Sequence, residues 1–117
     1  MLKIQTLKKR KDFLRVANRC HKYVMPAFIL QVSENPEPKA ESIRIGYTAS
    51  RRVGGAVERN RAKRRMRELV REIFPSHANF SFDYVLIAKS FCLERNFEKL
   101  RNELKSVLMR HHGEVNE

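Results

Sequence analysis

A glycine pair on one side and a proline on the other bracket the stretch that most constrains this chain. In "RNRAKRRMRELVRE" (59–72), Ala62, Met66, Leu69 and Val70, continued by Ile73 just beyond, recur at steps of three and four. That spacing makes one apolar stripe on a helix. The stripe predicts a helix from Ala56 to Phe74 that stops before Pro75, because proline disfavours helical backbone in the residue before it. Seven of the fourteen residues are Arg or Lys. Like charges at helical spacing cost a few tenths of a kcal/mol per pair. A helix that packs one side into a core and crowds cations along the rest implies something acidic outside.

Charge distribution says where that partner lies. The 117 residues carry a formal net charge of +12, and 42% hydrophobic content is enough for one modest core. Residues 1–22 hold eight Lys or Arg against Asp12, and residues 51–67 hold eight against Glu58, so each block carries +7 and the remainder sums to −2. Two basic blocks on a nearly neutral body indicate a polyanion bound over a defined surface, with nucleic acid ahead of an acidic membrane. A face charged only for solubility would mix both signs more evenly.

Cys20 and Cys92 lie far apart with no CxxC or Cys/His ligand spacing, and read as free thiols of a reducing compartment. The adjacent His111 and His112 cannot share a helix face and read as part of a frayed polar tail rather than a metal site. No apolar run is long enough for a membrane span. "MLKIQTLKKRKDF" places charge where a signal peptide needs its apolar core, so a cytoplasmic protein is expected.

The chain parses as one domain over 1–117. After a basic lead-in, "DFLRVANR" (12–19) gathers Phe13, Leu14, Val16 and Ala17 on a short helix with Asp12 as its cap. "YVMPAFILQVS" (23–33) is extended, broken by Pro26 into a short edge strand and a longer one from Ala27. "ENPEPKAES" (34–42) is a surface loop, and "IRIGYTA" (43–49) alternates as a half-buried strand. Gly54 and Gly55 turn the chain into the basic helix and leave its first amides open to a phosphate. "DYVLIAKS" (83–90) reads as a strand covered on both faces. "NFEKLRNELKSVLMR" (96–110) sets Phe97, Leu100, Leu104, Val107 and Leu108 on one stripe behind an Asn96 cap. The order is α-β-β-β-α-β-α, an α+β domain with an ordered core over about 7–110 and a polar C-terminal tail.

On a helical wheel Ala62, Met66, Leu69 and Ile73 are buried, Asn60, Arg64, Arg67 and Arg71 lie opposite, and Arg59, Arg61, Lys63 and Arg65 fill the flanks. Glu68 and Glu72 are expected to pair with Arg64, Arg65 or Arg71, leaving unpaired charge near the N-terminal turns. Residues 51–67 hold seven arginines and one lysine, and the planar guanidinium suits bidentate phosphate contact. Neutralising about five to eight phosphates gives a slope of log K against log salt of about −0.7 to −0.9 per contact. Heptads, zinc ligands and a second helix before the basic one are missing, which favours structured RNA over duplex DNA.

The string "SRRVGGAVERNRAKRRMRELVRE" (50–72) resembles the signature of the bacterial ribonuclease P protein component, with Arg59, Asn60 and Arg61 as its core after a glycine-containing turn. The resemblance extends through "LKKRKDFLRV", "RIGYTAS" and "DYVLIAKS". It implies a four-stranded sheet with a left-handed βαβ crossover, ribosomal protein S5 domain 2-like, against the common right-handed rule. It also implies a subunit of a ribonucleoprotein endoribonuclease that removes the 5′ leader of precursor tRNA and leaves a 5′-phosphate. There the RNA subunit is the catalyst and binds most of the Mg²⁺. Residues agree from the negative side: Asp12 and Asp83 are the only aspartates, glutamates are scattered among cations, and the four histidines are dispersed, so no residue is assigned a catalytic or metal-binding role.

Carried over to this sequence, the resemblance assigns Arg51, Arg52, Arg59, Asn60, Arg61, Lys63, Arg64, Arg65 and Arg67 to RNA binding. Asn60 is the least generic, because an amide bridges a donor and an acceptor; the alternative is an ordinary surface asparagine. The leader of precursor tRNA is assigned to a cleft between the first helix and the sheet. Phe13 matches its first aromatic, while Ala17 and Gln31 stand where aromatic residues are frequent, which bears on leader stacking and nucleotide preference. Phe13 alone reads equally as core, as do Phe28 and Leu30. The partners implied are the ribonuclease P RNA and precursor tRNA, with no membrane and no obligate protein partner. A purely structural RNA-binding protein and a self-contained ribonuclease are the competing readings.

Overall fold

The computed structural model describes residues 3–113. Its elements are β1 (Lys3–Thr6), α1 (Arg10–Arg19), β2 (His21–Val24), β3 (Phe28–Glu34), β4 (Ser42–Ala49), α2 (Ala56–His77), β5 (Phe82–Ala88) and α3 (Phe97–Leu108). A 3-10 turn, Ser90–Leu93, precedes α3, and a π-helical turn, Met109–Gly113, follows it. The fold is α+β as expected, with five strands instead of four. The added strand is β1 in the basic lead-in, where only Ile4 packs against the core. One half-buried position in four gives no alternation, so an exposed edge strand of this kind is silent in the sequence.

The sheet order is β1-β4-β5-β3-β2. β4 is parallel to both β1 and β5, and β3 is antiparallel to both β5 and β2. The parallel neighbours β4 and β5 are joined through α2, giving the βαβ unit that the resemblance implied. Pro26 lies in the tight connection between β2 and β3, where the Met25 amide donates to the Phe28 carbonyl at 2.8 Å.

Alternation along the central strands sends two sets of side chains to two helical layers. Phe28, Leu30 and Val32 of β3, Ile43 and Ile45 of β4, and Tyr84 and Leu86 of β5 join Met66 and Leu69 of α2 and Leu100 and Leu104 of α3 in the main core. Each of these is at most 1% exposed, and fully burying one such apolar side chain stabilises the fold by about 1.5–3 kcal/mol. Phe74 meets Tyr84 edge to face, with ring centroids 4.9 Å apart. On the opposite face, a smaller cluster of Leu7, Val16 and Val85, with Phe13, Cys20 and Ile87 against it, docks α1.

Three boundaries differ from expectation. α2 continues to His77 with Pro75 inside its last turn. Buried Ile73 and Phe74 anchor that turn, and the Ala78 amide donates to the Phe74 carbonyl at 2.9 Å, closing the helix beyond the proline. α1 begins at Arg10 behind Lys9, so Asp12 is a first-turn residue that interacts with the helix dipole rather than a cap. His111 and His112 are half-buried and hydrogen-bonded rather than frayed. The rest of the expected tail, residues 114–117, lies outside the described residues.

Candidate nucleic-acid interface

The start of α2 is built by glycine. Gly54 has φ +144°, a conformation that side-chain-bearing residues rarely adopt, and a Cβ there would lie 2.7 Å from that of Glu58. Gly55 is the N-cap and has no side chain to offer, so Glu58 reaches back and accepts from the Gly55 amide at 2.8 Å. That carboxylate occupies the position where an open amide for phosphate was expected. The interface is therefore made by side chains rather than by the helix terminus.

Most of those side chains reach solvent. Arg51, Arg52, Asn60, Arg61, Arg64 and Arg67 are exposed, and Arg59 and Lys63 are half-buried. Among the described residues none of these seven cations forms an ion pair. The expected pairing of Glu72 within α2 is replaced by one across helices. Its carboxylate accepts from Arg101 Nε of α3 at 2.6 Å, and the Arg101 guanidinium lies over the Phe97 ring at 5.3 Å. Glu68, also expected to pair, forms no ion pair among the described residues.

Arg65 is placed differently from its neighbours. It donates to the carbonyls of Leu93 at 3.1 Å and Arg95 at 2.8 Å and sits 5.5 Å from the Phe97 ring centroid. Its guanidinium ties the segment before α3 to α2, so its charge is spent inside the protein. The wheel placed it on a flank without distinguishing a flank facing solvent from one facing α3.

The second assigned surface lies between α1 and the sheet. Asp83 is fully buried at the start of β5 and is held by two arginines. Arg44, its register partner on β4, donates from Nε at 2.8 Å and Nη2 at 2.6 Å, and Arg15 of α1 donates from Nη2 at 2.5 Å. Hydrogen bonding to Asp83 makes the Arg44 guanidinium still more basic than usual. Arg15 also reaches the Glu34 carbonyl at 3.3 Å, so α1 is pinned to the ends of two strands. Farther along, the Phe13 ring lies on Gly46, where a Cβ would come within 2.5 Å of Phe13 Cζ. Gln31 pairs with Val85 and shares the α1-facing side of the sheet with Phe13, while Ala17 is exposed one turn beyond. Phe13 is thus half core and half cleft wall, and Phe28 and Leu30 are core.

Other chemistry-bearing groups are accounted for by packing. Cys92 is a buried free thiol pushed up to about 11 by desolvation, and Cys20 is a half-buried one. Tyr47 is pushed up to about 12 by desolvation, with Arg67 and Arg71 opposing, so its phenol stays protonated beneath α2. Among the described residues no three His, Cys, Asp or Glu side chains lie together as a metal set, and no helix is long and apolar enough to cross a membrane. Asp83, the buried carboxylate, is already occupied by guanidinium donors and does not fit a protein-held Mg²⁺.

Sequence reasoning missed Arg15, Arg44 and Asp83 as a unit. The signal was present: a lone carboxylate opening an apolar strand covered on both faces requires a cation, and Arg44 alternates with Ile43 and Ile45 in the preceding strand. It also missed a groove at the other end of the sheet from the α2 arginines, lined by Arg19, Arg110, Tyr23, Phe82 and His111.

The profile of the family described as Ribonuclease P matches residues 1–112. The ribonuclease P protein component of Paramagnetospirillum magneticum is 44% identical over 110 residues, covering 92% of this chain and 83% of the relative. That of Caulobacter vibrioides is 40% identical, covering 92% and 71%. The solved ribonuclease P protein of Staphylococcus aureus superposes with a TM-score of 0.75 at 27% identity, covering 94% of this chain and 97% of that one. The Thermotoga maritima protein does so with a TM-score of 0.75 at 27% identity, covering 91% and 96%. With a matching profile over nearly its whole length, this chain belongs to the ribonuclease P protein family.

Proposed function

We propose that the chain is the RNA-binding protein subunit of a ribonuclease P ribonucleoprotein, and that it grips the catalytic RNA through the N-terminal turns of α2. The observation that carries this reading is the set of seven cations from Arg51 to Arg67 without an ion-pair partner among the described residues, grouped around exposed Asn60 on a helix whose opposite side is core. Guanidinium groups on such a surface take phosphates in pairs, and Asn60 adds an amide that fixes local geometry. Arg65 positions the neighbouring segment instead of touching RNA.

The cleft between α1 and the sheet receives the 5′ leader of precursor tRNA, with Phe13 as its aromatic wall and Gln31 on its floor. With Ala17 in place of a second ring, leader binding relies more on hydrogen bonds and charge than on stacking. Cleavage belongs to the RNA subunit, which holds the Mg²⁺ that activates water for attack on the phosphodiester. This chain supplies binding and placement. No further protein is required.

Reconstitution tests the reading. Purified protein, a bacterial ribonuclease P RNA and precursor tRNA are combined at low Mg²⁺ with each component omitted in turn. Cleavage that requires the RNA and is accelerated by the protein is the expected result. Absence of a protein effect leaves a purely structural RNA-binding protein, and cleavage by protein alone leaves a self-contained nuclease; either overturns the proposal.

A further inference from the structure

Where β3 ends and β2 and β5 begin, the surface opens into a groove of about 840 Å³. It lies far from the basic turns of α2. From Arg59 to the end of that helix at His77 the axis advances about 27 Å, and Asn79, just beyond, lines the groove. It adjoins the Phe13 and Gln31 cleft through Arg15 of α1 and Ser33 of β3, which line it, while neither Phe13 nor Gln31 does.

Two kinds of side chain meet there. Arg19, at the end of α1, and Arg110, in the π-helical turn, are exposed and form no ion pair among the described residues. Glu34 is the one carboxylate in the lining among the described residues, and it is exposed at the rim. Between the arginines stand aromatic rings held in place by one another. The His111 ring meets those of Tyr23 at 5.5 Å, Phe82 at 5.4 Å and His21 at 5.6 Å, each edge to face. The Tyr23 hydroxyl hydrogen-bonds His111 Nδ1 at 2.5 Å, and the buried Tyr84 hydroxyl hydrogen-bonds His112 Nε2 at 2.6 Å, locking the turn onto the sheet. Burial keeps His111 below its ordinary pKa and lowers His112 to about 4, so both rings are neutral at pH 7.

A rigid set of neutral rings flanked by guanidinium groups from two elements is a combination suited to unpaired nucleotides. Bases stack on the rings, and the phosphates between them meet the cations. A duplex offers no free base faces to such a groove. We propose that this groove is a second RNA site, taking a single-stranded segment whose bases stack on Tyr23, Phe82 and His111 and whose phosphates are held by Arg19 and Arg110. The choice of RNA as the polyanion rests on the function proposed above; the site itself rests on the groove.

The test uses the full chain and a fluorescent, unstructured RNA of about eight nucleotides, within the length range of single-strand sites. Affinity is measured by anisotropy over a salt series for the unaltered chain and for Arg19→Gln/Arg110→Gln. Both are repeated in a background carrying Arg59→Gln, Arg61→Gln and Arg64→Gln. Both groove arginines are exposed, so the fold is retained and circular dichroism checks it. The expected result is about tenfold weaker binding in both backgrounds and a salt slope shallower by about 1.4, two single-strand phosphate contacts. A 4-thiouridine version of the probe should crosslink within residues 79–84 or 110–113. Unchanged affinity and slope overturn the proposal. So does displacement of the probe by polyglutamate at equal charge without a crosslink, which would mark the groove as a site for acidic peptide. The probe contains no catalytic RNA, so failure here leaves the reconstitution result standing, and failure there leaves this one.

Discussion

Arg44 and Asp83 are register partners on neighbouring parallel strands, and the guanidinium of one donates to both carboxylate oxygens of the other. Arg15 completes the set from the helix above, so one buried carboxylate joins β4, β5 and α1. Removing one member of a buried ionic set leaves the others uncompensated, which costs about 3–5 kcal/mol. Asp83→Ala is therefore expected to fall in that range by urea denaturation. Arg15→Gln, whose partner keeps Arg44, is expected to cost only about 1 kcal/mol. Equal effects of the two would show that Arg15 carries the set.

Gly46 is required by the ring that covers it. A methyl group there would overlap Phe13 Cε1 and Cζ at 2.6 and 2.5 Å, and overpacking at a fixed contact costs about 1–3 kcal/mol. Gly46→Ala is expected to destabilise the domain in that range. Adding Phe13→Leu should recover part of the loss, so a double-mutant cycle by thermal denaturation reads out coupling between the two positions. Strict additivity would mean that the ring moves aside without cost.

These two relationships mark where the sequence was and was not legible. Ala62, Met66 and Leu69 lie at helical spacing, and all three are fully buried, as the stripe predicts. Asn96 accepts from the amides of Glu98 and Lys99 as the cap signal predicts. Both signals are local, set by residues within two turns. What escaped depends on distant segments meeting: Arg15 on Asp83, Arg65 on the Leu93 and Arg95 carbonyls, Glu72 on Arg101. A wheel gives direction around one helix but not what stands in that direction. The His111 and His112 pair was hidden for the same reason, since its tyrosine partners lie 88 and 28 residues away.

The histidine turn makes stability depend on pH. Unfolded, His112 titrates near 6.5; folded, burial and the neighbouring His111 lower it to about 4. The unfolded chain therefore binds more protons in this window, and stability present above pH 6.5 is lost as pH falls towards 4. Partial exposure screens the effect, leaving a loss of about 1–2 kcal/mol. Urea denaturation at pH 7 and pH 4.5 should show it, and His112→Gln, which cannot take up the proton, should reduce the difference. The same loss in the variant would assign the pH dependence to other groups.

Salt dependence separates the two kinds of arginine on α2. Arg61 and Arg64 are exposed and form no ion pair among the described residues, whereas Arg65 is bonded to two carbonyls. Each phosphate contact contributes about 0.7–0.9 to the slope of log K against log salt. For binding to ribonuclease P RNA, Arg61→Gln and Arg64→Gln should each weaken affinity and flatten the slope by about that amount, with little change in folding stability. Arg65→Gln should do the reverse. Its lost hydrogen bonds and ring contact cost about 1–3 kcal/mol of stability, and at temperatures where the variant remains folded the slope stays the same. A flattened slope for Arg65→Gln would place its guanidinium on the RNA and require the segment at Leu93 to Arg95 to release it on binding.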